Sequence, residues 1–270
     1  MSYKKTPEEV KLIIEGGKLI GEILEKVSRL AVVGAIPADI DREAERLIRE
    51  VGALPAFKGY SGSKNIPAFP ATICSSINDG LVHGVPREDV TLKDGDIYSI
   101  DIGMQYPVNS GLGEKGNGFF TDTALTVQIG KIPEKTIQLL NVTKKSLEIG
   151  IAQCQVGNTV ADIGKAIQAY IDPQGYSIIR DLVGHGVGHG VHEEPRVPNY
   201  YDKSLETWIL EPGVVIAIEP MITMGGYHIE TDDDGWTIRT KDRSLCAHFE
   251  HTIVVTGDGP VVATRRPSEL

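Results

Sequence analysis

The stretch 184–195 combines residue types that are seldom found together without a functional reason. It contains three of the seven histidines and four of the thirty glycines of the chain. Glycine allows a backbone to approach a bulky or charged group closely, and imidazole is both a common metal ligand and an acid or base that titrates near pH 7. The stretch indicates a binding or catalytic site, although a glycine-rich surface loop with solvated histidines gives the same pattern.

Four acidic residues lie in segments that have the pattern of buried strands. They are Asp101 in the segment 97–104, Asp122 in 119–129, Glu219 at the end of 214–219 and Glu250 within 247–255. Side chains alternate between the two faces of a strand, so both aspartates are expected to point away from the apolar faces of their strands. Any one of these acids alone is explained best by a salt bridge or by a charge that protects a sheet edge.

Together with His185, the four acids favour a different explanation. Carboxylates are almost never fully buried unless they are paired or bound to a metal. Four of them in one cleft would repel each other and raise their own pKa values, whereas two divalent cations would balance the four negative charges and leave the histidine neutral. The sequence therefore predicts a dinuclear metal site.

The helices expected around this site come in two pairs. Thr6, Pro7 and Glu9 form a helix start, and apolar residues continue at helical spacing to Val27. Further helices are expected at about 39–52, 134–151 and 159–175.

Strands are expected after each pair of helices. Runs at 72–77, 97–104 and 119–129 have the composition of strands, and strands are expected again from Tyr176 onward. This repeated order predicts a single α+β domain over 1–270, in which two similar halves, about 1–130 and 131–270, meet at a cleft. Helices should cover one side of a largely antiparallel sheet, and the stretch 107–117 should be a loop without further sheet.

The composition disfavours several classes of function. The chain has 270 residues, a net charge of −10 and no clustered Lys/Arg run, so direct binding of nucleic acid is not expected. Its three cysteines form neither a disulfide framework nor a CxxC zinc pattern, which fits a reducing compartment. The N-terminus has no signal-peptide core, and no apolar run reaches the ~20 residues of a membrane span. These features predict a cytoplasmic protein that does not bind a membrane.

The sequence resembles the type 1 methionine aminopeptidases over nearly its whole length. The resemblance rests on an ordered series of motifs: NDGLVHGVP at 78–86, SID at 99–101, TDT at 121–123, GHG at 184–186, HEEP at 192–195, IEPM at 218–221, DGWT at 234–237, TKDRSL at 240–245 and FEHT at 249–252. It implies the two-halved pita-bread fold, in which a largely antiparallel curved sheet carries helices on its outer side.

The resemblance also implies a ligand set for two divalent metal ions. Asp122 and Glu250 would bridge both ions, Asp101 would complete one site, and His185 with Glu219 would complete the other. Sites rich in Asp, Glu and His accept Mn, Fe, Co or Zn, so the sequence does not name the metal.

The implied reaction is hydrolysis of the peptide bond after an N-terminal methionine, with a small second residue preferred. A hydroxide that bridges the metals would attack the scissile carbonyl. Glu219 would handle the proton of the nucleophilic water, His192 would donate to the developing oxyanion, and His83 would contact the scissile amide nitrogen. The methionine side chain would enter a pocket of Phe57, Tyr60, Phe69, Cys74 and Trp236, although ordinary core packing explains these five residues nearly as well.

Several positions depart from the pattern of the family. His189 stands where arginine is common, Val191 where a bulkier apolar residue is common, and Phe57 where some relatives have cysteine. The connections 61–69 and 105–118 are also longer than usual. Since none of these is a ligand position, they bear on substrate range rather than on the chemistry. His228 and His248 receive no role, because a lone histidine in a strand is more often a packed or surface residue than a ligand.

Two other functions fit parts of the same pattern. An X-Pro aminopeptidase or dipeptidase shares the fold and the metal set, and His189 is reminiscent of its histidine-rich loop. Such enzymes usually carry an additional N-terminal domain, whereas the first helix here starts at Thr6. A non-catalytic peptide-binding module of the same fold is disfavoured, because all five ligands and both accessory histidines are retained.

The implied partners are the N-termini of newly made polypeptides. Association with the ribosome is a further partnership to be considered, and a monomer is expected.

Overall fold

The computed structural model describes residues 3–61 and 66–270. Residues 62–65, which belong to the connection expected to be long, lie outside the described residues. The helices are α1 Pro7–Ser28, α2 Pro37–Glu50, α3 Glu134–Ala152 and α4 Val160–Ile171. All four predicted helices are confirmed. None of the described helices is long and apolar enough to cross a membrane.

Local hydrogen bonds explain where these helices begin and end. Glu9 donates its backbone N–H to Thr6 Oγ1 at 3.3 Å and accepts the Thr6 N–H on Oε2 at 2.7 Å, which is the reciprocal cap that the sequence predicts. Thr159 and Asp162 form the same arrangement at the start of α4. Just past α2, Gly52 adopts a φ of +74°, a left-handed conformation that glycine takes without strain.

The strands in the described part of the chain are short, except for two. In chain order they are β1 Leu54–Pro55, β2 Ile73–Ile77, β3 Gly80–Val82, β4 Ile97–Tyr106, β5 Leu112–Gly113, β6 Asn117–Gln128, β7 Ser177–Ile178, β8 Gly184–Gly186, β9 Glu193–Val197, β10 Val215–Ile218, β11 Met221–Thr223, β12 Ile229–Thr231, β13 Ile238–Thr240, β14 Cys246–His248, β15 His251–Thr256 and β16 Gly259–Val262. Single 3₁₀ turns occur at Glu114–Gly116, Asp172–Gln174, Lys203–Leu205 and Pro267–Glu269.

These strands form two larger and two smaller sheets. One five-stranded sheet has the order β1-β4-β6-β5 with β2 also paired to β4, and the other has the order β16-β15-β10-β8-β9. Two three-stranded sheets have the orders β14-β11-β7 and β12-β13-β3. The pairs of named strands in the described residues are antiparallel apart from β5 with β6, so the largely antiparallel sheet is confirmed.

The prediction that 107–117 contains no sheet was wrong. Leu112 and Gly113 pair in parallel with Asn117 and Gly118. The two glycines make this possible, because a Cβ on Gly113 would lie 1.7 Å from the carbonyl oxygen of Gly118. The connection between the two aspartates is therefore a loop that folds back onto the first residues of β6.

The main core lies between the helices and the sheets. Tyr98, Ile100, Ile102 and Met104 of β4 are all fully buried in it, together with apolar residues of α1 to α4. Because side chains alternate along β4, Asp101 faces the opposite side of the sheet, as predicted.

Backbone contacts join the end of β14 and the start of β15 to β6. Glu250 N–H donates to the carbonyl of Ala124 at 2.9 Å, and Thr126 Oγ1 donates to the carbonyl of His248 at 2.9 Å. Thr252 Oγ1 donates to the carbonyl of Asp122 at 2.8 Å. These bonds fix Asp122 and Glu250 side by side.

The helix α1 gives a matched test of how closely the chain packs. A Cβ on Gly17 would lie 2.6 Å from the backbone oxygen of Ala263, whereas the nearest atom to a Cβ on Gly16 is Tyr106 Cβ at 3.4 Å. We expect Gly17→Ala to lower the free energy of unfolding by about 1–3 kcal/mol, because backbone must move. Gly16→Ala should be neutral or stabilising, since alanine is favoured over glycine in a helix by about 1 kcal/mol. Denaturant titration of both variants checks this, and equal stability would contradict the close packing of α1 on the C-terminal segment.

Candidate metal centre

A single cleft gathers the residues that the sequence singled out. Its lining consists of Phe57, Tyr60, Phe69, Cys74, Val82, His83, Asp101, Asp122, His185, His192, Glu219, Trp236 and Glu250. Val82 alone of this set was not predicted. The five candidate ligands, the two accessory histidines and the five candidate pocket residues therefore share one cavity.

Three strands and two strand breaks supply the candidate ligands. Asp101 lies in β4, Asp122 in β6 and His185 in β8. Glu219 follows β10 directly, and Glu250 lies between β14 and β15.

The prediction that Glu250 lies inside one continuous strand was wrong. The segment switches sheets at this point, because β14 pairs with β11 whereas β15 pairs with β10. The same switch separates β10 from β11 at Glu219 and Pro220. Both glutamates therefore sit where the chain leaves one sheet for another, and their side chains are free of the alternation of a regular strand.

Three of the five candidate ligands lie close enough to share a cation, and the other two adjoin them. Within the described residues, ligand atoms of Asp122, His185 and Glu250 all fall within 4.8 Å of one another. His185 Nε2 lies 3.6 Å from Asp122 Oδ2 and 3.6 Å from Glu219 Oε1. Asp101 joins the cluster from β4, whose Gly103 is the register partner of Asp122 in β6.

Burial shifts the pKa values of all four acids upward, and neighbouring carboxylates add to the shift for three of them. Burial, with the charges of Asp122 and Glu219 added and that of His248 opposed, raises the pKa of Asp101 to about 7. Burial raises the pKa of Glu219 to about 8, with His185 opposing the shift and Asp122 adding to it. The pKa values of Asp122 and Glu250 are also raised, and burial is again the first cause. Without a cation, the cleft disfavours its own ionised state.

An unpaired carboxylate oxygen and an oriented imidazole ring fit a cation at this cluster. Asp101 Oδ1 is buried and has no hydrogen-bond partner. His185 Nδ1 lies 2.9 Å from the carbonyl oxygen of Gly186, which can only accept, so Nδ1 carries the proton. Nε2 then faces the carboxyl oxygens Asp122 Oδ2 and Glu219 Oε1, each at 3.6 Å. A divalent cation would satisfy these acceptors together, and the backbone bond to Nδ1 is the usual way in which a metal-binding histidine is oriented.

His248 also belongs to this site, although the sequence analysis gave it no role. It is buried, its Nε2 lies 3.3 Å from Glu219 Oε2, and neither ring nitrogen makes a hydrogen bond. Burial lowers the pKa of this ring. The available signal was its position two residues before Glu250, since a continuous strand, as the sequence predicts there, would place both side chains on the same face. His228, by contrast, is exposed.

The two accessory histidines border the group of candidate metal ligands. The His192 ring lies 4.5 Å from the His185 ring, and its Nδ1 lies 3.0 Å from Tyr60 Oη. His83 packs edge-on against Trp236. Loss of solvent in the cleft, together with nearby histidines, lowers the pKa of His83 to about 4 and that of His192 to about 3. Both rings are therefore neutral near pH 7.

The apolar part of the cleft is built around two aromatic rings. Phe69 and Trp236 meet edge to face with ring centres 5.3 Å apart, and Cys74 and Phe57 pack against them. Trp236 Nε1 donates to the carbonyl of Pro67 at 2.9 Å, which fixes the indole. Gly103 leaves room for Phe57, because a Cβ there would lie 2.8 Å from the phenyl ring.

Two of the positions that depart from the family pattern lie outside the cleft lining. His189 Nε2 lies 2.9 Å from Glu9 Oε1 in α1, and its ring packs on Phe119. Val191 is buried in an apolar cluster that includes Ile13. Phe57, the third such position, does line the cleft.

Comparisons with known proteins agree with this arrangement. The model of metallopeptidase family M24 matches residues 11–257. The methionine aminopeptidase of Clostridium acetobutylicum is 39% identical over 260 residues, which cover 96% of this chain and 97% of that protein. The crystal structure of methionine aminopeptidase from Thermotoga maritima has a TM-score of 0.89 at 34% identity and covers 98% of this chain and 100% of that chain. The pita-bread fold is thereby confirmed.

More distant structures share the fold alone. The prolidase from Pyrococcus furiosus has a TM-score of 0.73 at 21% identity and covers 97% of this chain but 65% of that chain. Since the family model spans most of the sequence and the similarity to methionine aminopeptidases extends from end to end, the chain belongs to metallopeptidase family M24 and, within it, to the methionine aminopeptidases.

Proposed function

We propose that this protein is a metal-dependent aminopeptidase that removes the N-terminal methionine from proteins and peptides and prefers a small second residue. The observation that carries the proposal is the convergence of five candidate metal ligands, two neutral histidines and an apolar pocket on one cleft. The similarity to methionine aminopeptidases over nearly the whole chain supports the choice of substrate.

The five ligands would hold two divalent ions. Asp122 and Glu250 would be shared by both ions, Asp101 would complete one site, and His185 with Glu219 would complete the other. Oxygen-rich ligands with one imidazole suit Mn, Fe, Co or Zn. When bound, such a pair of cations lowers the pKa of a water molecule toward ~7 and polarises the carbonyl that is to be cleaved.

The side chains around the metal cluster would handle the protons. Glu219 would take the proton of the nucleophilic water, which its position at the edge of the cluster allows. The Tyr60 hydroxyl can donate to His192 Nδ1 at 3.0 Å, which leaves the proton of this neutral ring on Nε2. That N–H would donate to the oxyanion that develops during attack. His83 would contact the amide nitrogen of the scissile bond.

The apolar end of the cleft would take the methionine side chain. Methionine is unbranched and flexible, and its sulfur makes favourable contacts with aromatic ring edges. Phe57, Phe69 and Trp236 offer such rings, while Cys74 lies beside Asp101 in the adjoining strand. Tyr60 lines the same cleft but is directed to His192, so it would act on the histidine as well as on the pocket.

The cellular setting of the reaction is part of the same proposal. The substrates would be the N-termini of newly made polypeptides in the cytoplasm, and association with the ribosome would bring the enzyme to them. The enzyme would act as a monomer.

A panel of three peptides tests the reaction and its competitors. After reconstitution with each of several metals, the protein should release methionine from both a Met-Gly peptide and a Met-Pro peptide, because glycine and proline are both small second residues. An Ala-Pro peptide should not be cleaved at a comparable rate. Preferred cleavage of Ala-Pro would favour the X-Pro peptidase, and binding without turnover of any peptide would favour the non-catalytic module. Free amino acids are measured by mass spectrometry.

A contrast between two variants tests the assigned roles. Asp122→Asn removes part of a bridging ligand, so we expect lost turnover and fewer than two metals per chain. His192→Ala should keep its metals and lose about 10²–10³-fold in kcat, because this residue acts on the transition state. Metal content is measured by elemental analysis, with Asp258→Asn, an exposed aspartate between β15 and β16, as the control. Two metals and normal turnover in Asp122→Asn would contradict the ligand assignment, and metal loss in His192→Ala would contradict the role of the histidine.

A further inference from the structure

The loop that carries His192 is held by a buried ion pair from the N-terminal segment of the chain. Lys5 Nζ lies 2.5 Å from Glu193 Oε2, and the side chains are 1% and 16% exposed. Glu193 immediately follows His192 in the sequence. A lysine buried to this extent must keep its partner, because an unpaired ammonium in a protein interior is strongly disfavoured.

The carboxylate of Glu193 makes one contact within its own loop and one with the N-terminal segment. Its Oε2 accepts a hydrogen bond from Lys5 Nζ, and its Oε1 accepts one from the backbone N–H of Gly190 at 2.5 Å. The loop is thus closed on itself from Gly190 to Glu193 and is tied to the lysine at the same point.

The lysine is itself fixed along its length. Its backbone N–H donates to the carbonyl of Gly213 at 2.8 Å, ahead of β10, the strand that leads to Glu219. Its stem crosses the loop directly, because a Cβ on Gly188 would lie 2.6 Å from Lys5 Cε. Gly188 has a φ of +130°, so glycine is required there by conformation as well as by space.

Two further contacts keep the loop on the scaffold. His189 lies 2.9 Å from Glu9 Oε1 of α1, and Gly188 accepts the backbone N–H of Phe120 at 2.8 Å. Phe120 is two residues before Asp122. The loop is therefore registered against the strand that bears a central metal ligand.

We propose that Lys5 is a positioning residue for the reaction, acting through Glu193 to hold the backbone of His192 at the distance from the metal cluster that catalysis needs. Tyr60 orients the ring of His192, and Lys5 fixes where the ring is attached. This inference rests on the proposed function, because it requires that His192 act in turnover. Displacement of a catalytic group by about 1 Å can cost on the order of 100-fold in rate, so a tether of this kind affects kcat before it affects binding.

A merely structural role for the ion pair makes a different prediction. If the ion pair only stabilises the fold, its removal lowers the amount of folded enzyme. The measured rate then falls by the same factor with His192 present or absent. A tether that works through His192 has nothing left to position once that side chain is gone.

The test is a double-mutant cycle between Lys5→Met and His192→Ala in the metal-loaded enzyme. We expect Lys5→Met to lower kcat on the order of 10- to 100-fold, with KM changed only a few-fold and two metals retained. In the His192→Ala background, the same change should alter kcat by less than about 2-fold. Lys4→Met is the matched control, since the neighbouring Lys4 pairs with Glu211 at the surface, with side chains 40% and 42% exposed, and its removal should leave kcat unchanged.

A second variant covers the case in which Lys5→Met fails to fold. Lys5→Met with Glu193→Gln removes both charges and leaves no unpaired carboxylate, so the protein should fold while kcat stays lowered. Normal kcat in a folded variant without Lys5, or an equal loss of kcat with and without His192, would overturn the inference while leaving the proposed function intact. Normal kcat in His192→Ala alone would overturn both the inference and the role of His192.

Discussion

Four carboxylates and an imidazole lone pair face one another in a cleft that water barely reaches, and this arrangement is stable only if something positive lies between them. Burial raises the pKa of all four acids, and neighbouring carboxylates add to the shift for Asp101, Glu219 and Glu250; the pKa reaches about 7 for Asp101 and about 8 for Glu219. The scaffold holds these groups in place through backbone bonds to Thr252, Ala124 and Gly186. A folded protein that holds repelling groups together so firmly is organised around the cation that relieves the repulsion.

The arrangement of the sheets directs all four acidic side chains into the same cleft. A regular strand can offer one side chain to a cleft at every second residue, which suits Asp101 and Asp122 on the long neighbours β4 and β6. The glutamates come instead from points where the chain passes between sheets. At such a point the direction of a side chain is not set by the alternation along a strand. Four acids can therefore point into one cleft although only two of them lie in regular strands. His192 is likewise placed by a loop and not by a regular strand. Lys5 and Glu193 hold the backbone of this loop, and Tyr60 contacts the His192 ring.

Much of this could be predicted from the sequence, and the failures have specific causes. Helix starts at Thr6 and Thr159 were predictable because each carries its own capping partner three residues on. The alternation along β4 correctly placed Asp101. Glu250 was placed wrongly in a continuous strand, because apolar residues on both sides hide a change of pairing partner that only tertiary structure decides.

Long-range contacts were equally invisible in the sequence. The pairing of Lys5 with Glu193 joins residues 188 positions apart, and a lysine in a polar run before a helix has the pattern of a solvated residue. His248 was passed over because a single histidine in a strand is usually structural. Its contact with Glu219 depends on two sheet switches that the sequence pattern does not reveal.

The most direct test of the central claim is a calorimetric titration of metal-depleted protein with a divalent metal in buffers of different ionisation enthalpy. Acids with raised pKa values hold protons in the metal-free cleft and must release them when cations bind. We expect about two metals per chain and a release of protons that is larger near pH 6.5 than near pH 9, since the pKa values of Asp101 and Glu219 are about 7 and about 8. Binding of metal with no release of protons at either pH, or with undiminished stoichiometry in Asp122→Asn, would contradict the claim that these carboxylates share their charge with the cations.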